Sequence, residues 1–343
     1  MLVLIYKNNL DHLLMPENFI GFGGKNNTAD NQLGSSTISS SSNTEHGERK
    51  TNGTTETNKL ENPTSDIDNG TLERTPTPSH EINVHVTDTH APIVMFFGAP
   101  SSGKTMTLVR LAKYLRKQDF TLNVDPNFCT NAWEYRVNSQ RFNSMLGTDV
   151  ALKGTNHNDF LFIQVKNRQG AIICQILEGA GEGYFPSTVP EGYTRAQVPF
   201  PAYMADVFSS PNKKVWVFIT EPNWERPQAD KLEYVERIRY CKSQYSVGMD
   251  KFILLFNKID RLGDTNEENA MRACSNEYEG LFNVFKNNSP LAPYFAPRYL
   301  FKFVRFTTGT YGVPQRGIPA HYAQSRDNYP AALWETILKS IRG

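Results

Sequence analysis

The sequence predicts a three-layer α/β domain with a mostly parallel central sheet, behind a long polar N-terminal segment. Three observations carry this reading. Two continuous apolar runs of buried-strand length, Ile93–Phe97 and Lys251–Phe256, each lead directly into a compact polar motif. Further strand-sized apolar runs at 160–165, 171–177 and 215–220 are interleaved with segments of helical periodicity, as expected for strands covered by helices on both faces. From Lys25 to Ser79 the composition changes to Ser, Thr, Asn, Gly, Glu and Lys, with very few apolar residues. That tract cannot bury enough surface to offset the entropy of ordering and is expected to be disordered. Thr75-Pro76-Thr77-Pro78 closes it with stiff, extended backbone suited to a linker. The expected organisation is a low-complexity segment and linker over 1–88 and one folded domain over 89–343.

Charge narrows the partners. Lys plus Arg number 36 and Asp plus Glu 35, a net charge of +1 over 343 residues, so no global field draws the chain to nucleic acid or an anionic membrane. No apolar run approaches the roughly 20 residues of a membrane span. The apolar start, Met1–Tyr6, is interrupted by Lys7, Asp11 and His12, and no signal peptide is expected. Phe19, Ile20 and Phe22 mark either a docking peptide or a frayed start. Cys129, Cys174, Cys241 and Cys274 lack metal-type spacing and are expected to be free structural thiols in a reducing, cytoplasmic compartment.

The folded region opens with its strongest signal. Ile93–Phe97 runs into Gly98-Ala99-Pro100-Ser101-Ser102-Gly103-Lys104-Thr105, a complete G-x-x-x-x-G-K-T, and Leu108, Leu111, Ala112 and Leu115 follow at helical spacing. Glycines let such a loop curl around phosphates, while successive N–H groups and the helix N-terminus supply positive potential. Gly98, Ser101, Ser102 and Gly103 form the cradle, Lys104 reaches the β/γ-phosphates, and the Thr105 hydroxyl ligates Mg2+. The loop alone leaves base and reaction open, since ATPases, GTPases and small-molecule kinases share it.

The second motif is more selective. Lys251–Phe256 ends in Asn257-Lys258-Ile259-Asp260, N-K-x-D at the exit of a buried strand. With both motifs in order, the chain resembles the Ras-like, translation-factor-related P-loop GTPase superfamily. That resemblance implies a three-layer P-loop NTPase fold with GTP or GDP and Mg2+ as ligands. It gives Asp260 the two N–H groups of guanine, Asn257 the base together with a brace on the phosphate loop, and the Lys258 stem the base plane. Sites built on such hydrogen bonds reject an analogue lacking them by roughly 10⁴ to 10⁵.

Between the motifs, 160–165 and 171–177 read as a hairpin around Lys166–Gly170, and the second strand runs into Glu178-Gly179-Ala180-Gly181-Glu182. This occupies the place of the superfamily's D-x-x-G-Q and departs from it twice. Glu178 stands where Asp binds Mg2+ through water, and Glu182 where Gln orients the attacking water; Gly181 keeps the position that offers its N–H to a γ-phosphate. The resemblance also assigns Thr155 to Mg2+ and γ-phosphate sensing, makes 120–159 an enlarged first switch in which Trp133 and Tyr135 equally suit core covering, and makes the Pro- and Gly-punctuated stretch 184–201 a second switch. The prolines also permit a static connection there.

The remaining elements follow in order. Val215–Thr220 reads as a strand, Gln228–Ser243 as a helix and Leu300–Phe306 as a strand ending in Thr307-Thr308-Gly309-Thr310, similar in position to the S-A-K loop whose backbone N–H meets the guanine; Thr308 is the candidate. A helix over 330–341 closes the domain. The altered Glu178 motif and the long Pro-rich second switch also resemble divergent bacterial GTPases of the double-GTPase kind. The expected function is a slow or partner-stimulated GTPase acting as a switch on a protein effector or activator, with Lys104, Gly181 and Glu182 in the catalytic roles. A nucleotide-binding module with negligible hydrolysis and a P-loop ATPase are the alternatives.

Overall fold

The computed structural model describes residues 77–148, 160–263, 266–289, 297–311 and 322–343. The chain divides into two units, Met1–Asn69 and Gly70–Gly343, and all described residues lie in the second. Its centre is a seven-stranded sheet in the order β2-β3-β4-β1-β5-β6-β7. The strands are β1 (Ile93–Gly98), β2 (Thr121–Val124), β3 (Phe160–Lys166), β4 (Ile172–Gly179), β5 (Lys214–Thr220), β6 (Lys251–Phe256) and β7 (Phe301–Arg305). β1 is parallel to β4 and β5, and the parallel run continues through β6 to β7; β3 is antiparallel to β4, and β2 to β3.

The central strands are apolar end to end because both faces are covered. Alternate residues of β1 show how. Ile93, Met95 and Phe97 face a layer holding Tyr203 and Met204 of α4 (Ala202–Ser209), Tyr234 and Ile238 of α5 (Gln228–Tyr245), and Cys274 of α6 (Glu267–Glu277). Val94 and Phe96 face Leu108 and Leu111 of α1 (Lys104–Lys117), Phe142 of α2 (Trp133–Gly147), and Leu333, Trp334 and Ile337 of the closing helix, Asn328–Arg342. The α/β class, the parallel core and the β3–β4 hairpin are those expected. In the hairpin turn the Asn167 side chain accepts hydrogen bonds from the Gln169 and Ala171 N–H groups, and Gly170 takes the left-handed conformation at φ 82°.

Three segments differ from expectation. Packing begins N-terminal to residue 89: Ile82 is buried in the core, the His85 N–H bonds the Phe128 carbonyl at 2.8 Å, and the Thr77 hydroxyl reaches Glu134 at 2.9 Å. The stretch from 120 is no open loop but supplies β2 and α2. Helix α2 buries Tyr135, whose hydroxyl donates to the Asp125 carbonyl at 2.6 Å, together with the polar Glu134 and Asn138. The rest of the expected first switch, with Thr155, lies outside the described residues.

The third is the stretch after β4, which contains the four-residue α3 (Gly181–Tyr184) and a single 3-10 turn at Arg195–Gln197. It is tied down as a static connection would be. Arg237 of α5 is fully buried; its Nε donates to the Tyr184 carbonyl and its Nη1 to the Ala196 carbonyl, both at 2.8 Å, and its guanidinium lies 3.7 Å from the Phe200 ring centroid. Burial lowers its pKa to about 10. A planar fork suits this multi-carbonyl clamp as a lysine would not. Arg237→Leu is expected to strand those carbonyls and cost about 3 kcal/mol, several times a neutral hydrogen bond. A lowered urea midpoint, with new tryptic cleavage at Arg195, checks it.

Candidate nucleotide-binding site

The site lies at the C-terminal edge of the parallel strands, where α/β sheets bind ligands. Its floor is the 98–105 loop between β1 and α1. Ser101 and Gly103 adopt left-handed conformations at φ 63° and 86°, which fold the backbone back on itself. A Cβ on Gly103 would stand 2.6 Å from the Asn257 amide nitrogen, so a glycine is required there by approach as well as by φ. The first turn of α1 carries no acidic residue and no side-chain cap, leaving its N–H groups to an anion.

Lys104 is almost wholly buried, and its Nζ donates to the Gly98 and Ala99 carbonyls at 2.9 and 3.2 Å. Desolvation lowers its pKa to about 8, against the opposing pull of Glu178 and Glu182. Both carboxylates therefore belong to the electrostatic surroundings of the Lys104 ammonium. The Tyr184 ring is a further member that sequence reasoning missed, with the ammonium 5.6 Å from its centroid.

The strand next to β1 supplies a buried carboxylate. Register pairs Phe96 with Glu178, which places the buried Glu178 carboxylate beside the start of α1, and the Thr105 hydroxyl donates to its Oε1 at 2.8 Å. A hydroxyl and a carboxylate side by side form a hard oxygen donor pair that fits Mg2+, an ion that keeps several waters and takes its other ligands from phosphates. Among the described residues no group of three or more His, Cys, Asp or Glu could hold a metal alone. Gly181 presses on the loop: a Cβ there would be 2.4 Å from Pro100 N and Cα, so no other residue fits this approach. Glu182, half-buried, occupies the first turn of α3.

The other end is built by the residues after β6. The Asn257 N–H bonds the Thr220 carbonyl at 2.8 Å, its side-chain nitrogen donates to the Ser102 carbonyl at 2.9 Å, and Lys258 Nζ donates to the Ser101 carbonyl at 2.7 Å. The expected brace between N-K-x-D and the phosphate loop thus consists of two side chains. Asn257 Oδ1 is buried with no hydrogen-bond partner among the described residues. Asp260 is exposed and accepts from the Thr307 hydroxyl at 2.6 Å.

Thr308 is buried, and its carbonyl accepts from the Ser325 N–H at 3.0 Å. Sequence reasoning named Thr308 and missed its neighbour Thr307, for which a hydroxyl beside a candidate base-reading carboxylate was the only signal. Gly309, at φ 133°, packs against the short hairpin of β8 (Gly309–Tyr311) and β9 (Tyr322–Gln324), where a Cβ would meet the Ala323 carbonyl at 2.1 Å. Every other predicted site residue is brought to this one edge, whereas Thr155 lies outside the described residues.

No family model matches the chain. A stretch of 80 residues is 38% identical to the signal recognition particle 54 kDa protein of Methanothermobacter thermautotrophicus, covering 23% of this chain and 17% of that protein. The chain therefore matches well under two thirds of that relative's length. Among solved structures it is similar to the Saccharomyces cerevisiae Ski7 GTPase-like domain bound to GTP, with 13% identity, 74% of this chain, 51% of that chain and a TM-score of 0.35. It is also similar to the ADP-ribosylation factor-like small COPII coat GTPase of Encephalitozoon cuniculi in complex with GDP, with 12% identity, 74% of this chain, 77% of that chain and a TM-score of 0.34. At these scores the likeness is loose. By its own geometry the chain carries a three-layer architecture with its G-x-x-x-x-G-K-T and N-K-x-D motifs joined at one edge of the sheet.

The lowered Lys104 pKa gives a pH signature. Anionic phosphates beside the ammonium raise that pKa again, so binding takes up a proton between the free and bound values. Affinity for a phosphate-bearing ligand is then level below about pH 7 and falls as pH rises past about 8. One proton makes the loss about tenfold by pH 9. Titrations of GDP from pH 6.5 to 9 check it, and a level profile throughout would refute it.

Proposed function

We propose that this chain binds GTP and GDP with Mg2+ and hydrolyses GTP slowly or with a partner's help, as a nucleotide-dependent switch. The observation that carries the reading is one loop serving two motifs: its Lys104–Thr105 end meets Glu178, and its Ser101–Ser102 carbonyls are held by Lys258 and Asn257. A ligand with phosphates at one end and a guanine at the other fits that layout. Lys104 holds the β/γ-phosphate charge, Thr105 and Glu178 hold the ion, and Asp260 accepts the guanine N–H groups. Bound Mg2+ supplies neutralisation of the phosphate oxygens. Glu182 orients water with the Gly181 N–H nearby, and Thr155 completes the γ-phosphate sensor. Four buried free cysteines support a reducing, cytoplasmic setting, and no helix among the described residues is long and apolar enough to cross a membrane.

Asp260→Ala is expected to weaken GDP binding by about a hundredfold, since it removes a charged acceptor of two hydrogen bonds, and to erase the preference over ATP. Asp260→Asn turns an acceptor into a donor and shifts preference towards xanthine nucleotides, whose C2 carbonyl accepts. Competition binding with GDP, XDP and ATP checks both. Wild-type binding of ATP as tight as GTP, unchanged by Asp260→Ala, would overturn the guanine reading.

A second reading, a nucleotide-binding module without turnover, is favoured by the two carboxylates, Glu178 and Glu182, that surround Lys104. Glu182→Gln removes a negative charge from the phosphate end and installs a water-orienting amide, so the switch reading expects phosphate release to rise about tenfold. Release at the buffer rate in wild type and variant alike would favour the module.

A further inference from the structure

Behind the loop stands a carboxylate that neither motif contains. Glu221 follows β5 as Asn257 follows β6, and the two strand ends are neighbours, with Thr220 in register with Phe256. The Tyr278 hydroxyl pins the Glu221 backbone from both sides, donating to its carbonyl at 3.0 Å and accepting from its N–H at 3.1 Å. The Glu221 side chain is only 4% exposed and pairs with Lys258 Nζ, with Arg261 Nη1 3.5 Å away.

A carboxylate this dry is costly unless its charge is matched. Its match is the lysine that also donates to the Ser101 carbonyl at 2.7 Å. Lys258 is thereby held at its tip by an ion pair with the carboxylate that follows β5 and by a hydrogen bond to the phosphate loop. Lys258 itself is in a left-handed backbone conformation at φ 55°, unusual for a residue with a side chain, so its direction is set by contacts rather than by regular structure.

We propose that Glu221 is a positioning residue of the nucleotide site: it fixes the Lys258 ammonium on the Ser101 carbonyl, and through it the wall against which the base lies, so that it slows nucleotide release. This rests on the guanine-nucleotide reading above. Glu221 itself touches neither base nor phosphate. Its loss therefore acts equally on GDP and GTP and leaves the preference for guanine to Asp260. Arg261, half-exposed and farther away, serves as the weaker partner.

The test is a double-mutant cycle on the full chain, with release of N-methylanthraniloyl-GDP and -GTP followed by stopped-flow fluorescence. Glu221→Gln keeps the shape and loses the charge; it is expected to speed release of both nucleotides about tenfold while GDP still outcompetes ATP. In a Lys258→Met background the same change is expected to alter release by less than about twofold, because the group it acts through is gone. Glu221→Asp, which keeps the charge at shorter reach, is expected to fall between and supplies the measurement if Glu221→Gln does not fold. Release from both Glu221 variants within twofold of wild type, or the full effect persisting in Lys258→Met, would overturn the proposal. Loss of guanine preference already in the wild type would instead overturn the function, and the cycle then reports on Glu221 with whichever nucleotide binds.

Discussion

The site depends on the bracing of one loop by the neighbouring strand's exit. Residues 98–105 carry two positive-φ positions, a conformation that ordinary packing does not hold. The two hydrogen bonds from Asn257 and Lys258 to the Ser102 and Ser101 carbonyls hold it from the side. They run between residues more than 150 positions apart in sequence, so the parallel order β1-β5-β6 is what makes them possible. Gly103 is the counterpart on the loop, since any side chain would occupy the place of the Asn257 amide.

Electrostatics sharpen the picture at both ends. At the phosphate-loop end the pKa of the desolvated Lys104 is lowered against the pull of two glutamates, Glu178 and Glu182, and α1 presents its uncapped N–H groups beside it. At the base end Lys258 and Arg261 are matched by Glu221, which leaves the exposed Asp260 as the carboxylate free to face a ligand's donors alongside its Thr307 partner.

The segment after β4 adds a constraint on how such a site signals. Arg237 clamps Tyr184 to the 196–198 backbone, and Tyr184 is the residue whose ring borders Lys104. The residue beside Lys104 therefore belongs to a buried, hydrogen-bonded connection rather than a free loop. Pro- and Gly-rich composition left a switch and a static connection both open, because it reports local stiffness and turn preference and carries no information about a guanidinium arriving from a helix some forty residues later.

Elements with a strong local signal were legible in the sequence. β1, the phosphate loop and α1 follow from an apolar run, a glycine-rich motif and helical spacing in immediate succession, and β6 with Asn257-Lys258-Ile259-Asp260 likewise. The closing helix, read at 330–341, spans Asn328–Arg342, because Trp334, Ile337 and Leu338 mark its inner face. Helix α2 was not legible: its buried face includes Glu134 and Asn138, and the Glu134 carboxylate is satisfied by Thr77, far away in the chain. The sequence by itself determined the α/β class, the two motifs and the candidate residues that the proposed function assigns to phosphate, ion and base, since each is written in contiguous residues whose chemistry is local. Only the tertiary structure decided which side chains hold those residues in place, Glu221 behind Lys258, Thr307 beside Asp260 and Arg237 on the second connection. Those roles belong to contacts across strands and helices, and no spacing along the chain encodes them.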